Sequence, residues 1–243
     1  MAVNKRLLQG AAAAGGLVPS EHFGVVLYEG DGSSSHSING GKFGAAAFFN
    51  GTSSIIETSG LNNATGQFNN GVTISAWVFI RDYTDTHPVV RSKNTSTQAG
   101  ITLTVSNTGY PEWQVTNTSN VDRVVSTTQL SNNTWYHLVG VREPGATTNA
   151  VKLYINGSLD AQINGTITIA SIGTFTNQLA IGNRSSSSDN VNQKIDQVRI
   201  FQKALSSSEV STLYAETAAT VESLDPLSED TTDTLQVLGD SSC

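Results

Sequence analysis

Across residues 73–80 apolar and alternating positions define an extended backbone: Ile74, Ala76, Val78 and Ile80 fall on one side, Ser75, Trp77 and Phe79 on the other. Both sides carry large apolar groups, which predicts a central strand covered on each face. Comparable short runs recur at 45–49, 54–57, 88–92, 101–105, 112–115, 123–127, 135–142, 151–156, 160–163, 179–182 and 195–201, with Gly, Asn, Asp or Pro near many of the breaks. A dozen short strands in one unit predict two packed antiparallel sheets, a jelly-roll sandwich of the all-β class.

Asn156-Gly157 joins two of these runs and predicts a tight hairpin, since both positions tolerate positive φ. One helix is expected near the end of the body. Ser206 and Glu209 have capping-box spacing, Leu205 and Val210 that of a hydrophobic staple, and Val210, Leu213 and Tyr214 an apolar stripe.

Three zones follow. Residues 1–38 form an N-terminal arm without hydrophobic mass of its own, in which 25–28 is the one run able to pair as a strand. Residues 39–216 form the sandwich, and 217–243 an acidic tail or linker. The tail changes how the net charge of -7 is read: from Glu216 to Cys243 there are seven acids and no Lys or Arg, so the other 215 residues balance at 13 acidic and 13 basic groups. A neutral body without a basic stripe argues against nucleic acid as a partner. The single cysteine, Cys243, leaves no intramolecular disulfide to staple the fold. The apolar stretch after Lys5 and Arg6 is short and broken by glycines, which disfavours a signal peptide, and no run is long enough to span a membrane.

The order Thr73-Ile-Ser-Ala-Trp-Val-Phe79, Trp135-Tyr-His-Leu-Val-Gly-Val-Arg142, Val151-Lys-Leu-Tyr-Ile-Asn-Gly157 and Ile195-Asp-Gln-Val-Arg-Ile-Phe201, followed by Ala204-Leu205-Ser206, resembles a laminin G-like/concanavalin A-like domain. The resemblance implies the sandwich over roughly 175 residues. It also implies a candidate structural calcium site, with Asp196 as ligand and backbone carbonyls near Asn50 and Gly51 completing it. The residues themselves leave a second reading of Asp196 open: an acid within an apolar strand also satisfies its charge by accepting backbone N–H groups or pairing with Arg or Lys. A second resemblance, of the opening Met1-Ala-Val-Asn-Lys-Arg-Leu-Leu-Gln-Gly-Ala-Ala-Ala-Ala-Gly-Gly16 and of Val26-Leu-Tyr-Glu-Gly-Asp-Gly-Ser33, is to virion proteins of tailed, particularly marine, phages.

Candidate chemistry is sparse. The two carboxylates a glycosidase sets across a glycosidic bond have no Glu-x-Asp-x-Glu pattern to supply them, and no Gly-x-Ser-x-Gly elbow, phosphate loop or His/Cys cluster occurs. Trp77 and Trp135 are expected in the core, and His137 as a hydrogen-bonded strand residue. Tyr110 and Trp113, with Asp122 and Arg123 nearby, are either an exposed sugar platform or simply a strand edge.

The resulting expectation is a non-enzymatic phage virion structural protein, a tail fibre or a capsid or tail decoration. Its arm would contact other virion proteins and its sandwich a host-surface glycan, with homo-oligomerisation as in fibres. The alternative is a carbohydrate-binding module or adhesin of a bacterial cell-surface or secreted protein.

Overall fold

The computed structural model describes residues 35–37, 41–43, 46–50, 55–57, 63–92, 100–117, 119–145, 148–175, 179–182 and 192–216. The strands there are β1 (Ser35–Ser37), β2 (Ala46–Asn50), β3 (Ile56–Glu57), β4 (Val72–Ile80), β5 (His87–Ser92), β6 (Gly100–Val105), β7 (Pro111–Thr116), β8 (Val121–Val125), β9 (Trp135–Arg142), β10 (Val151–Ile155), β11 (Ser158–Gln162), β12 (Leu179–Ile181) and β13 (Asn192–Phe201), followed by helix α1 (Ser207–Tyr214). All twelve expected strands form. The additional one, β1, lies in the segment read as the arm and pairs antiparallel with β2 at the sheet edge. Its Ser-His-Ser sequence has no apolar alternation, so only backbone pairing defines it. The run at 25–28 lies outside the described residues.

One sheet has the order β1-β2-β13-β4-β9-β10-β11 and the other β3-β12-β5-β6-β7-β8, all neighbours antiparallel. As the alternation requires, Ile74, Ala76, Val78 and Ile80 of β4 face the other sheet. Opposite them, Ile56, Ile181, Val90, Leu103, Trp113 and Val124 are successive cross-strand partners, one from each strand of the six-stranded sheet. All six are buried, and each such side chain withdrawn from water contributes roughly 1.5–3 kcal/mol before chain entropy is counted.

The outer face of the seven-stranded sheet is covered too. Val139, Val141, Tyr154 and Phe201 pack beneath Leu205 and the Val210 and Leu213 stripe of α1. The helix starts where its capping box closes: Glu209 N–H donates to Ser206 Oγ at 3.3 Å and Ser206 N–H to Glu209 Oε2 at 2.7 Å. The Asn156-Gly157 hairpin forms between β10 and β11, with φ of 50° and 79°.

Two buried charges fix the 168–170 segment between them. Asp122 accepts the amides of Thr168 (3.0 Å) and Ile169 (2.8 Å) and the Thr168 hydroxyl (2.7 Å), while Arg142 Nη2 donates to the carbonyls of Ile169 (2.6 Å) and Ala170 (2.8 Å). A segment with no strand ladder thereby has its peptide groups paired by side chains of β8 and β9.

Candidate functional site

Asp196 sits in β13 at a bulge, where Asp196 pairs with Trp77 and Arg199 with Ser75, and Gln197 takes φ of 49°. Its carboxylate is surrounded by donors. Oδ2 accepts the amides of Lys42 (2.8 Å) and Phe43 (3.0 Å), and Oδ1 accepts the Gln197 amide (2.7 Å) and Nε2 (3.3 Å). Burial raises the pKa of this carboxyl above its usual value, against the opposing pull of those hydrogen bonds. N–H groups on both oxygens present positive partial charge where a cation would have to lie.

The register separates the other expected ligand as well. Ile195 pairs with Ala47 and Asn192 with Asn50, so Asn50 lies four residues along from the position facing Asp196, about 13 Å at the rise of a strand. Gly51 lies outside the described residues. The register therefore does not bring Asn50 to Asp196, and Asp196 accepts backbone N–H groups, as its second reading expected. Its product is a clasp: the 41–43 segment closes over Trp77, with Lys42 Nζ 4.2 Å from the ring centroid and Phe43 edge-on at 5.9 Å.

The proposed pairing of Tyr110 with Trp113 as a platform is likewise corrected. Trp113 is fully buried between the sheets, its Nε1 donating to the Val141 carbonyl at 3.1 Å, because its odd position in β7 is the inward one. Tyr110 is half-buried in the turn preceding β7, where its amide donates to Ser106 Oγ. Trp77 is buried, though on the outer face of its sheet under Tyr214, which stacks at 5.6 Å, rather than between the sheets. Trp135, expected in the core, is only half-buried on that same outer face. His137 is buried beside Trp77, its Nε2 2.8 Å from Ser75 Oγ, and its Nδ1 has no hydrogen-bond partner.

The outer face of the six-stranded sheet presents the opposite chemistry to its inner face. Arg91, Thr102, Gln114 and Arg123 are successive cross-strand partners from β5 to β8, and beside them Thr104 pairs with Glu112. Arg91, Thr102, Glu112 and Gln114 are half-exposed and Arg123 is exposed. Glu112 is ion-paired with Arg123 across the strand pair. The row thus offers guanidinium and amide donors and hydroxyl, amide and carboxylate acceptors in one line, held on paired backbone rather than on loops. Among the described residues no three His, Cys, Asp or Glu side chains gather as a metal site.

A family model described as the concanavalin A-like lectin/glucanases superfamily matches residues 28–211. The chain belongs to this superfamily. Its match starts before β1, consistent with β1 being part of the superfamily sandwich. No curated protein matches the sequence significantly. Among solved structures, the chain is similar to the binding domain of Paraclostridial Mosquitocidal Protein 1 (18% identity, TM-score 0.57, 75% of this chain and 45% of that one). It is also similar to domain 4 of AbnA, an extracellular arabinanase from Geobacillus stearothermophilus, in complex with arabinotriose (23% identity, TM-score 0.56, 74% and 81%). A third similarity is to Trypanosoma rangeli sialidase in complex with a difluoro-KDN ligand (17% identity, TM-score 0.54, 75% and 28%). At these identities the likeness establishes the fold, and the chain spans less than half of the mosquitocidal protein's binding domain and of the sialidase.

Sequence reading missed the polar row although half of its signal is present. In β7 the order Glu112-Trp113-Gln114-Val115-Thr116 alternates polar and apolar, so Glu112 and Gln114 were separable from Trp113 as outward residues. That Gln114 lies beside Thr102 and Arg123 depends on strand register, which alternation leaves open.

Proposed function

We propose that this chain is a non-enzymatic carbohydrate-recognition domain that binds glycan across the outer face of its six-stranded sheet. The row Arg91, Thr102, Gln114 and Arg123 carries the reading: side chains with directed donors and acceptors on a rigid sheet suit a ligand made of closely spaced hydroxyls. The superfamily includes lectins by its description, and a similar domain has been solved with arabinotriose. The ion pair between Glu112 and Arg123 supports binding over catalysis, since a general acid must be free to hand its proton to a leaving group.

The finer setting we propose is a phage particle, where this domain would be displayed as a tail fibre or a capsid or tail decoration for host attachment. It rests on the resemblance of the N-terminal segment alone; a bacterial cell-surface or secreted adhesin fits the sandwich equally well. A glycan array probed with the full chain and with a Gln114→Ala/Arg123→Ala variant tests the binding reading. Ligands retained at full strength by the variant would overturn it. For the setting, particles assembled with a chain lacking residues 1–35 should fail to incorporate it, and normal incorporation would remove the anchoring role.

A further inference from the structure

On the seven-stranded sheet a second row runs across four adjacent strands. Phe48 of β2 pairs with Lys194 of β13, Lys194 with Phe79 of β4, and Phe79 with Trp135 of β9. All four are half-buried. Phe79 is the one residue of β4 that is only half-buried, whereas Trp77, two residues away on the same side of the strand, is covered by Phe43 and by Tyr214 of α1. Three strand spacings make the row about 14 Å long, the reach of a short oligosaccharide rather than of a single ring.

The two ends of the row differ. Phe79 and Trp135 lie 5.5 Å apart and offer ring faces against which the C–H face of a sugar stacks. At the other end the exposed Arg81 lies over Phe48 at 4.9 Å and Lys194 over Phe79 at 5.5 Å. Burial and then the neighbouring Arg81 lower the pKa of Lys194, as expected of two cations kept close together. Contacts with the rings restrict both cations before any ligand arrives, which reduces the entropy lost on binding. An arginine fork is suited to a carboxylate.

We infer that this row is a second glycan site, taking a carboxylated oligosaccharide with its neutral sugars over Phe79 and Trp135 and its carboxylate between Arg81 and Lys194. It rests on the reading above only in taking carbohydrate as the ligand class, and it uses the opposite face of the sandwich. Single-stranded nucleic acid also stacks on aromatics, but it requires a continuous positive groove, and here the positive charge is confined to one end of the row on a body of balanced charge.

The test is an NMR titration of the full chain with sialyllactose against lactose and with tri-galacturonate against maltotriose, following the Trp indole N–H signals. At least one acidic probe should shift the Trp135 signal, identified by its loss in Trp135→Phe, while its neutral counterpart leaves it in place. Arg81→Gln/Lys194→Gln should weaken that binding about tenfold or more, as loss of charged hydrogen bonds does. Arg81→Lys should restore part of it, and Gln114→Ala should leave it unchanged. Equal binding of acidic and neutral probes, no response to the charge variants, or tighter binding of oligo-dT would overturn the inference. Glycan binding sensitive to Gln114→Ala yet indifferent to Arg81 and Lys194 would sink this site and leave the first standing; absence of any glycan binding would sink both.

Discussion

Gly140 of β9 lies directly against the indole of Trp113 of β7: a Cβ at residue 140 would come within 2.4 Å of Trp113 Cδ2 and 2.6 Å of Cε3. The two residues belong to different sheets, so the absence of a side chain on one strand is what admits the largest side chain of the other. Gly140→Ala is therefore expected to destabilise the domain by about 1–3 kcal/mol through overpacking, and Trp113→Ala by about 3–5 kcal/mol through the cavity left behind. Combining Gly140→Ala with Trp113→Leu should cost clearly less than the sum of the single changes, because the smaller side chain accepts the new methyl group. Urea melts of Gly140→Ala, Trp113→Leu, their combination and Trp113→Ala provide the measurement; strict additivity of the first two in the combination would contradict the contact.

His137 makes stability depend on pH. Burial, and secondarily Arg199, lowers its pKa from 6.5 to about 3, so the folded protein holds the ring neutral. A group depressed in this way supplies its full stability above 6.5 and loses it as pH falls from there towards about 3. His137→Gln should remove up to one proton's worth of slope, about 1.4 kcal/mol per pH unit, from that window. Unfolding free energies across it, for both proteins, should diverge from parallel; identical slopes would place the titration elsewhere.

Asp160 acts in the same direction lower on the scale. Burial would raise its pKa, but the hydroxyls of Thr128 and Ser126 and the Thr127 amide outweigh it and hold the carboxyl below 3.8. The stability it confers is present above 3.8 and disappears as pH falls through the lowered value. Asp160→Asn should thus cost about 1–2 kcal/mol at neutral pH, with the difference from the parent narrowing in strong acid.

The Asp122 and Arg142 clamp should behave as one unit. Asp122→Ala strands the Thr168 and Ile169 amides, and Arg142→Met strands the carbonyls of Ile169 and Ala170, each at a cost on the order of 2–3 kcal/mol. Hydrogen exchange should show the loss first at the Thr168 and Ile169 amides. The double variant should be less harmful than the sum, since a segment released from one side gains little from the other.

Asp196 should prove a clasp rather than a cation ligand. Asp196→Asn replaces one acceptor oxygen with an NH2 donor that faces N–H donors, and should lower stability by about 1–3 kcal/mol while loosening Lys42 and Phe43 from Trp77. Thermal melts with and without a chelator should show the same shift for the variant; a shift seen only with calcium present would restore the metal reading.

Strand positions, the hairpin at Asn156-Gly157 and the capped helix were legible in the sequence, because alternation, positive-φ residues and cap spacing are local properties carried by the residues themselves. Local pattern also separated outward from inward residues within a strand. It could not say which strands would lie side by side. Only the tertiary structure set Trp113 against Gly140 between the sheets and left Trp135 half-buried on an outer face. Only register aligned Arg91, Thr102, Gln114 and Arg123 on one face, and Phe48, Lys194, Phe79 and Trp135 on the other. The physical reason is that a sheet site is built perpendicular to the chain: its neighbouring members are one strand spacing apart in space but from 9 residues (Gln114 to Arg123) to 146 residues (Phe48 to Lys194) apart in sequence, and the hydrogen bonds that align them carry no side-chain signature.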